Sequence, residues 1–580
     1  MRKKWWKNAN IYQIYVRSFF DTNHDGIGDI RGITEKLDYI KRLGIEVIWI
    51  SPHYDSPMDD NGYDVRDFYR VSSDYGSLED FKRLIEKAHD MRIRVITDLV
   101  LNHTSDEHAW FVAACNPLHP EHAIYHDYYI WQKPKFDQEG NRMAPTRWMS
   151  WFGSSAWEYN KSTDEYYLHI FSKKMPDLNW RNLQMRADMK QMILWWLALG
   201  IDGFRVDASN HLEKNWDFPD DFPGYRHFSS LPKHHEYLKE LGKEIFVPND
   251  ILTIGESGGA TDKQALMYVG YNSNEFNMLI HFGHCWADID NDNPKLTGKW
   301  AQGKLQVHKI KQSFARWHNM LKGKGWNIIY WHNHDHPRIL SHYGNDSLEY
   351  HDKSAKMLAI ALYFMPGTAI CYQGEEIGMT NVHYKDISEF RDVEVYTEFN
   401  NIIAKGLSPV ETLKIINARS RDNARTPMQW DDTANGGFSD HLPWMSTNDN
   451  YDKINVKIQD ADPDSVLNLY RKILTLRVAD ENITHGDLVF LDIDSDENYL
   501  YLNKGEDLEH LVLCNFTDKN ISIKLPNLIW DKYQFILGNN LKIIKLGNDL
   551  TLEPYDAFVF KKNTKLTSLI TMKNKSSAAG

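Results

Sequence analysis

The sequence predicts an α/β fold: a (β/α)8 barrel with an inserted subdomain after its third strand and a C-terminal antiparallel β domain. Three observations predict it. A helix-like stretch followed by a short apolar, β-rich run ending in polar residues recurs between residues 9 and 372. Residues 105–174 break this rhythm with a segment rich in Trp, Tyr, His and Pro. From residue 485 the chain changes to short alternating β segments separated by Asn, Asp and Gly.

The first strand is read in "ANIYQIYVRSF". "ITEKLDYIKRLGIEVIWISPHY" then places a helix before a strand at 46–50, and "LEDFKRLIEKAHDMRIRVITDLVLNH" one before a strand at 93–101. After the insertion, "MKQMILWWLALGIDGFRVDAS" leads to a strand at 202–207 and "LKELGKEIFVPNDILTIGES" to one at 251–255. "GWNIIYWHNHDHP" at 325–337 and "KSAKMLAIALYFMPGTAICYQGEE", with its strand at 368–372, complete the series. Such alternation builds a parallel sheet with helices outside, and seven or eight units suit a closed barrel. The expected divisions are barrel 1–104 and 175–484, insertion 105–174, C-terminal β domain 485–563 and a frayed tail 564–580.

Composition narrows the function. The 67 basic and 80 acidic residues leave a net charge of −13, which argues against nucleic-acid or anionic-membrane partners and suits a neutral substrate. Aromatic residues make up 13%, with 20 Trp and 30 Tyr; many are core, but their faces also suit sugar rings. Cys115, Cys285, Cys371 and Cys514 have no paired spacing, so neither a disulfide framework nor a zinc ribbon is expected. The opening residues have no signal-peptide core, and the apolar run 357–370 is too short to span a bilayer, so a cytoplasmic protein is expected.

Barrel enzymes carry their chemistry at the C-terminal ends of the strands. Here those ends hold Asp98, Asn102 and His103; Arg205 and Asp207; Glu256; and His334 and Asp335. Alternation along a strand puts Arg205 and Asp207 on one face, where a structural salt bridge is the simplest account of the pair alone. Three carboxylates meeting at one mouth point beyond structure to a site. Two or three carboxylates, an arginine and aromatic walls fit glycoside hydrolysis, in which one carboxylate attacks or activates water and another donates to the leaving oxygen. "DTNHDGIGD" offers Asp21, Asn23, Asp25 and Asp29, with Ile27 between them, as an oxygen-ligand loop for calcium; a bare Asn/Asp/Gly turn is the alternative. His332, His334 and His336 alternate like a zinc motif, but Pro337 should end the strand before the rings share a face.

"DLVLNH" at 98–103, "GFRVDA" at 203–208, "GES" at 255–257 and "NHD" at 333–335 resemble the segments of the α-amylase superfamily of retaining glycoside hydrolases. "MPDLNW", "QGEEIGMTN" and "RDNARTPMQWDD" are similar to its branch of α-glucosidases, oligo-1,6-glucosidases, dextran glucosidases, trehalose-6-phosphate hydrolases and sucrose isomerases. The resemblance implies Asp207 as nucleophile, Glu256 as general acid/base and Asp335 as transition-state stabiliser. It implies His103 and His334 on sugar hydroxyls, Arg205 orienting the nucleophile, Asp60, Tyr63 and Arg421 closing the innermost subsite, and Phe152 and Phe171 as its walls. It also implies a structural calcium at the Asp21–Asp29 loop, where His24 replaces the family's Gly.

In this branch the position of Ala208 is typically Val in α-1,6-selective members and Ala in α-1,4-selective ones. The expected activity is therefore exo-acting release of glucose from maltose and short malto-oligosaccharides, with some transglycosylation. An oligo-1,6-glucosidase or dual specificity is the alternative, because Met175 stands where most members have Gln, "ESGGAT" matches neither linkage class cleanly and Glu394 is compatible with either. No "RLDRD" run favours isomerisation. A trehalose-6-phosphate hydrolase and a noncatalytic relative are remoter, and a monomer or homodimer is expected.

Overall fold

The computed structural model describes residues 4–525, 528, 530–540 and 549–564, so apart from Thr564 the expected tail lies outside the described residues. Eight parallel strands form the barrel: β1 (Asn10–Ile14), β2 (Val47–Ile50), β3 (Arg94–Val100), β4 (Gly203–Asp207), β5 (Leu252–Glu256), β6 (Met278–Ile280), β7 (Ile328–Ile329) and β8 (Thr368–Tyr372). Ladders run from β6 through β5, β4, β3, β2, β1 and β8 to β7. At the seam between β6 and β7, the Tyr330 hydroxyl donates to the His281 carbonyl at 2.6 Å. β6 is the strand absent from the sequence reading: three residues in "FNMLIHF" carry too little pattern to be told from a loop.

Period-2 alternation divides each strand between two cores. Ile11, Val47, Trp49, Ile96, Leu252, Ile254, Met278, Ile280, Ile328 and Ile370 fill the barrel interior. Their neighbours Tyr12, Ile14, Ile48, Ile50, Val95, Phe204, Val206 and Cys371 face the helices. The helix Leu78–Asp90 illustrates that layer. Ser77 and Asp80 form a capping box at its start, and Phe81, Leu84, Ile85 and Ala88 are buried at the i, i+3, i+4, i+7 spacing of one face.

The insertion between β3 and the helix Leu183–Ala198 builds a three-stranded antiparallel sheet from Trp131–Gln132, Trp157–Asn160 and Glu165–Leu168, with a small hairpin, Lys135–Phe136 against Arg142–Met143. Beyond the barrel, Asp487–Phe490, Asn498–Lys504, Leu508–Asn515, Ala557–Asn563 and Gln534–Gly538 form a five-stranded antiparallel sheet; Ile521–Lys524 pairs with Asp549–Leu552. Asn503 ties this sheet to the barrel helices by donating to the Phe364 carbonyl at 2.8 Å. Among the described residues no helix is long and apolar enough to cross a membrane.

Candidate active site

The inward-facing rows change character toward the C-terminal ends of the strands. Above Ile96 stands Asp98, above Ile254 stands Glu256, and β4 presents Arg205 and Asp207. Register places Arg205 beside Asp98 on one side and Ile254 on the other. The Arg205 guanidinium, 1% exposed, donates through Nη1 to Asp98 at 2.5 Å and to Asp207 at 2.8 Å, and pairs through Nη2 with Glu256. The Trp49 indole donates to the other Asp98 oxygen at 2.7 Å. Burial pushes Asp98 up to about 6 against the pull of Arg205. Burial also raises Asp207, opposed by Arg205 and reinforced by the charges of Glu256, Asp98 and Asp335. Several carboxylates around one buried cation cannot all ionise freely.

Asp335 has the opposite setting. Its burial alone would raise it, but Arg421 and Arg425 hold it well below the usual carboxylate range. Arg421 and Arg425 reach its Oδ1 at 3.2 and 3.0 Å. Arg421 also contacts Asp60 at 3.2 Å and is clasped by Asp392 through Nε at 2.7 Å and Nη2 at 2.6 Å. Burial drives Asp60 up to about 7.

Histidines and aromatics close the circle. Tyr63 OH lies 2.7 Å from His334 Nε2 and accepts from Arg205 at 3.3 Å, while Gln13 meets His334 Nδ1 at 2.8 Å. Burial lowers His334 and His103 to about 3, so both rings are neutral, each with one donor and one acceptor nitrogen. His103 Nε2 is buried without a hydrogen-bond partner, an unmet polar atom in the wall. Its ring lies 5.3 Å from Phe171, which lies 5.8 Å from Phe152, which in turn lies 5.2 Å below the Arg421 guanidinium. Every sequence-predicted catalytic and sugar-site residue thus joins one contact network. Ala208, directly after Asp207, has φ 44° and ψ 37°, and its N–H donates to Glu256 at 3.2 Å.

Sequence reasoning missed several supports. Lys214, fully buried, pairs with Asp177 at 2.7 Å and donates to Asn102 Oδ1 at 2.7 Å and the His211 carbonyl at 2.6 Å. It locks the β3 end, the insertion and the loop after β4 together. Asp177 lies in the quoted "MPDLNW", but nothing in that segment announces a partner at 214. Arg425 sits four residues from Arg421 across a short helix, a spacing that could have suggested a second cation on the same side. Asp392 carried no signal. Glu394, noted for the second-sugar region, pairs with Lys299 at 2.5 Å.

The Asp21–Asp29 loop behaves differently. Asp21 accepts backbone N–H groups of His24 and Gly26 at 2.8 Å and the Ser439 hydroxyl at 2.6 Å; Asp29 caps the following helix through Gly32 N at 2.7 Å. Asp25 accepts from Ile27 N at 2.8 Å and from Asn23 at 2.9 Å. The donor types, all oxygen, suit a hard cation. Among the described residues no three His, Cys, Asp or Glu side chains are grouped to hold a metal ion, so Asn23 and backbone carbonyl oxygens would have to supply ligands here. His332, His334 and His336 likewise separate, toward Glu375, Tyr63 and Asn333 respectively.

Residues 13–486 match the family described as alpha amylase, catalytic domain. An oligo-1,6-glucosidase of Parageobacillus thermoglucosidasius is 41% identical over 97% of this chain and 99% of its own length. An alpha-glucosidase of Pediococcus pentosaceus is 42% identical over 96% of this chain and 99% of its own. The crystal structure of Bacillus licheniformis trehalose-6-phosphate hydrolase superposes with a TM-score of 0.89 at 41% identity, covering 97% of this chain and all (100%) of that one. With the strand ends, the carboxylates and these full-length likenesses in agreement, the chain belongs to the alpha-amylase family and is a glycoside hydrolase.

Proposed function

We propose an exo-acting, retaining α-glucosidase that releases glucose from the nonreducing end of maltose and short malto-oligosaccharides. The observation that carries this reading is the Arg205 bridge. Nη1 of one guanidinium holds Asp207 at 2.8 Å while Nη2 holds Glu256. Carboxylates tied to one guanidinium suit the retaining spacing of about 5–5.5 Å better than the inverting one of about 6.5–9.5 Å, which leaves room for water.

In the first step the Asp207 carboxylate forms a bond to the anomeric carbon as the glycosidic C–O bond breaks and Glu256 passes its proton to the leaving oxygen. In the second, water attacks that carbon, Glu256 takes the water's proton and the ester bond to Asp207 breaks. Asp335, kept ionised by Arg421 and Arg425, stabilises the developing positive charge. The Asp60–Arg421 pair closes the inner end against a further sugar, which favours release of single glucose units. His103 Nε2 is available to a substrate hydroxyl.

Ala208 supports the α-1,4 reading on steric grounds. A β-branched residue there would narrow the space for the second sugar and strain a backbone at positive φ. The test is kcat/KM for maltose and isomaltose on the parent and on Ala208→Val. Maltose is preferred by the parent, and the variant moves the ratio toward isomaltose by about 1–3 kcal/mol. Isomaltose preference in the parent would establish the oligo-1,6-glucosidase reading instead, to which the 41% identical relative of that name lends weight. We further propose that calcium occupies the Asp21–Asp29 loop in a structural role; it takes no part in the chemistry.

A further inference from the structure

We propose that Trp151 and Tyr225 form a stacking platform for the third glucose ring of a bound oligosaccharide and thereby set the preferred chain length. Their rings lie 4.3 Å apart at 5°, face to face, yet Trp151 remains 40% exposed. An indole held flat against a phenol but open to solvent is built to receive another apolar face. The pair is braced beneath: Phe228, fully buried, meets Trp151 edge-on at 6.1 Å and Tyr225 at 6.0 Å.

Its position follows from a row of rings leaving the pocket. Phe171, beside His103, lies 6.0 Å from His211, and His211 lies 5.8 Å from Trp151. His211 belongs to the short turn Ser209–His211 that directly follows Ala208, and burial keeps its ring neutral, lowered to about 3. The first sugar occupies the pocket of Phe171, the second borders Ala208 and His211, and the third meets the Trp151–Tyr225 pair. Trp151 also precedes the wall residue Phe152. The turn holding both is pressed against the helix Val393–Ala404, because a Cβ on Gly153 (φ 79°) would lie 2.7 Å from the Glu398 carboxylate.

This inference rests on the glucosidase reading but not on linkage. The experiment compares kcat/KM for the disaccharide and trisaccharide of both the α-1,4 and the α-1,6 series on the parent, Trp151→Ala, Trp151→Phe and Tyr225→Ala. In whichever series is hydrolysed, the parent favours the trisaccharide. Both alanine variants lower that ratio by about fivefold or more through KM, and the phenylalanine variant restores most of it. An unchanged ratio in Trp151→Ala and Tyr225→Ala overturns the platform, even if overall activity falls through disturbance of Phe152. Should the parent hydrolyse neither series, the functional reading fails. Calorimetry of maltotriose against glucose then decides the platform separately, with equal affinities, or a preference that survives Trp151→Ala, overturning it.

Discussion

Two acidic regions of this molecule are opposites in sequence and in space. Asp98, Asp207, Glu256 and Asp335 are scattered over more than two hundred residues, yet three of them hold one arginine and the fourth is clasped by two others. Asp21, Asp25 and Asp29 lie within a single loop, yet their side chains are spent on neighbouring N–H groups and the helix cap. Parallel strands aim distant residues at one point, whereas a short loop satisfies its own backbone first. Burial and neighbouring carboxylates raise Asp207, whereas the guanidinium groups of Arg421 and Arg425 depress Asp335.

The largest effect comes from breaking the convergent cluster. Asp207→Asn lowers kcat on an aryl α-glucoside by about 10⁴-fold or more. The amide is isosteric with the carboxylate and keeps an oxygen for Arg205 to bond, so the variant folds and its Tm stays close to the parent's. A large fall in Tm with activity retained would reduce the cluster to a structural salt bridge. Next, Lys214→Met leaves Asp177 buried without its cation and lowers stability by about 3–5 kcal/mol in denaturant titration. A neutral result would show that the lock between the insertion and the loop after β4 is dispensable.

Asp60→Asn sharpens the electrostatic side. With the folded carboxyl raised to about 7 and the unfolded one near 3.9, the folded state holds the extra proton between those values. Stability from this group is therefore present at low pH and lost as pH rises through about 7. The amide cannot ionise, so the variant's gain in Tm over the parent is greater at about pH 8 than at about pH 5, and a pH-independent difference refutes the assignment. The smallest effect belongs to the loop. Millimolar calcium raises the parent's Tm by a few degrees, consistent with ~1–3 kcal/mol of ligand stabilisation, without altering kcat. Asp25→Ala abolishes that rise; an equal rise in both proteins removes calcium from the loop.

Much of this was legible before the fold. The strand ends could be read because apolar runs stop abruptly at polar residues, and Arg205 and Asp207 share a face by alternation alone. β6 could not be read, since three residues carry no period, and neither could the Lys214–Asp177 lock or the Asp392 clasp on Arg421, which join segments with no local relation. By itself the sequence determined the fold class, because strands and their polar ends are marked by residue type and local periodicity, and its strand-end segments carried the resemblance to the family. Only the tertiary structure decided which carboxylates share a cation, which histidines are buried and neutral, and that Trp151 stacks on Tyr225. Those properties arise from desolvation and from distances between residues far apart in the chain, and no local pattern encodes them.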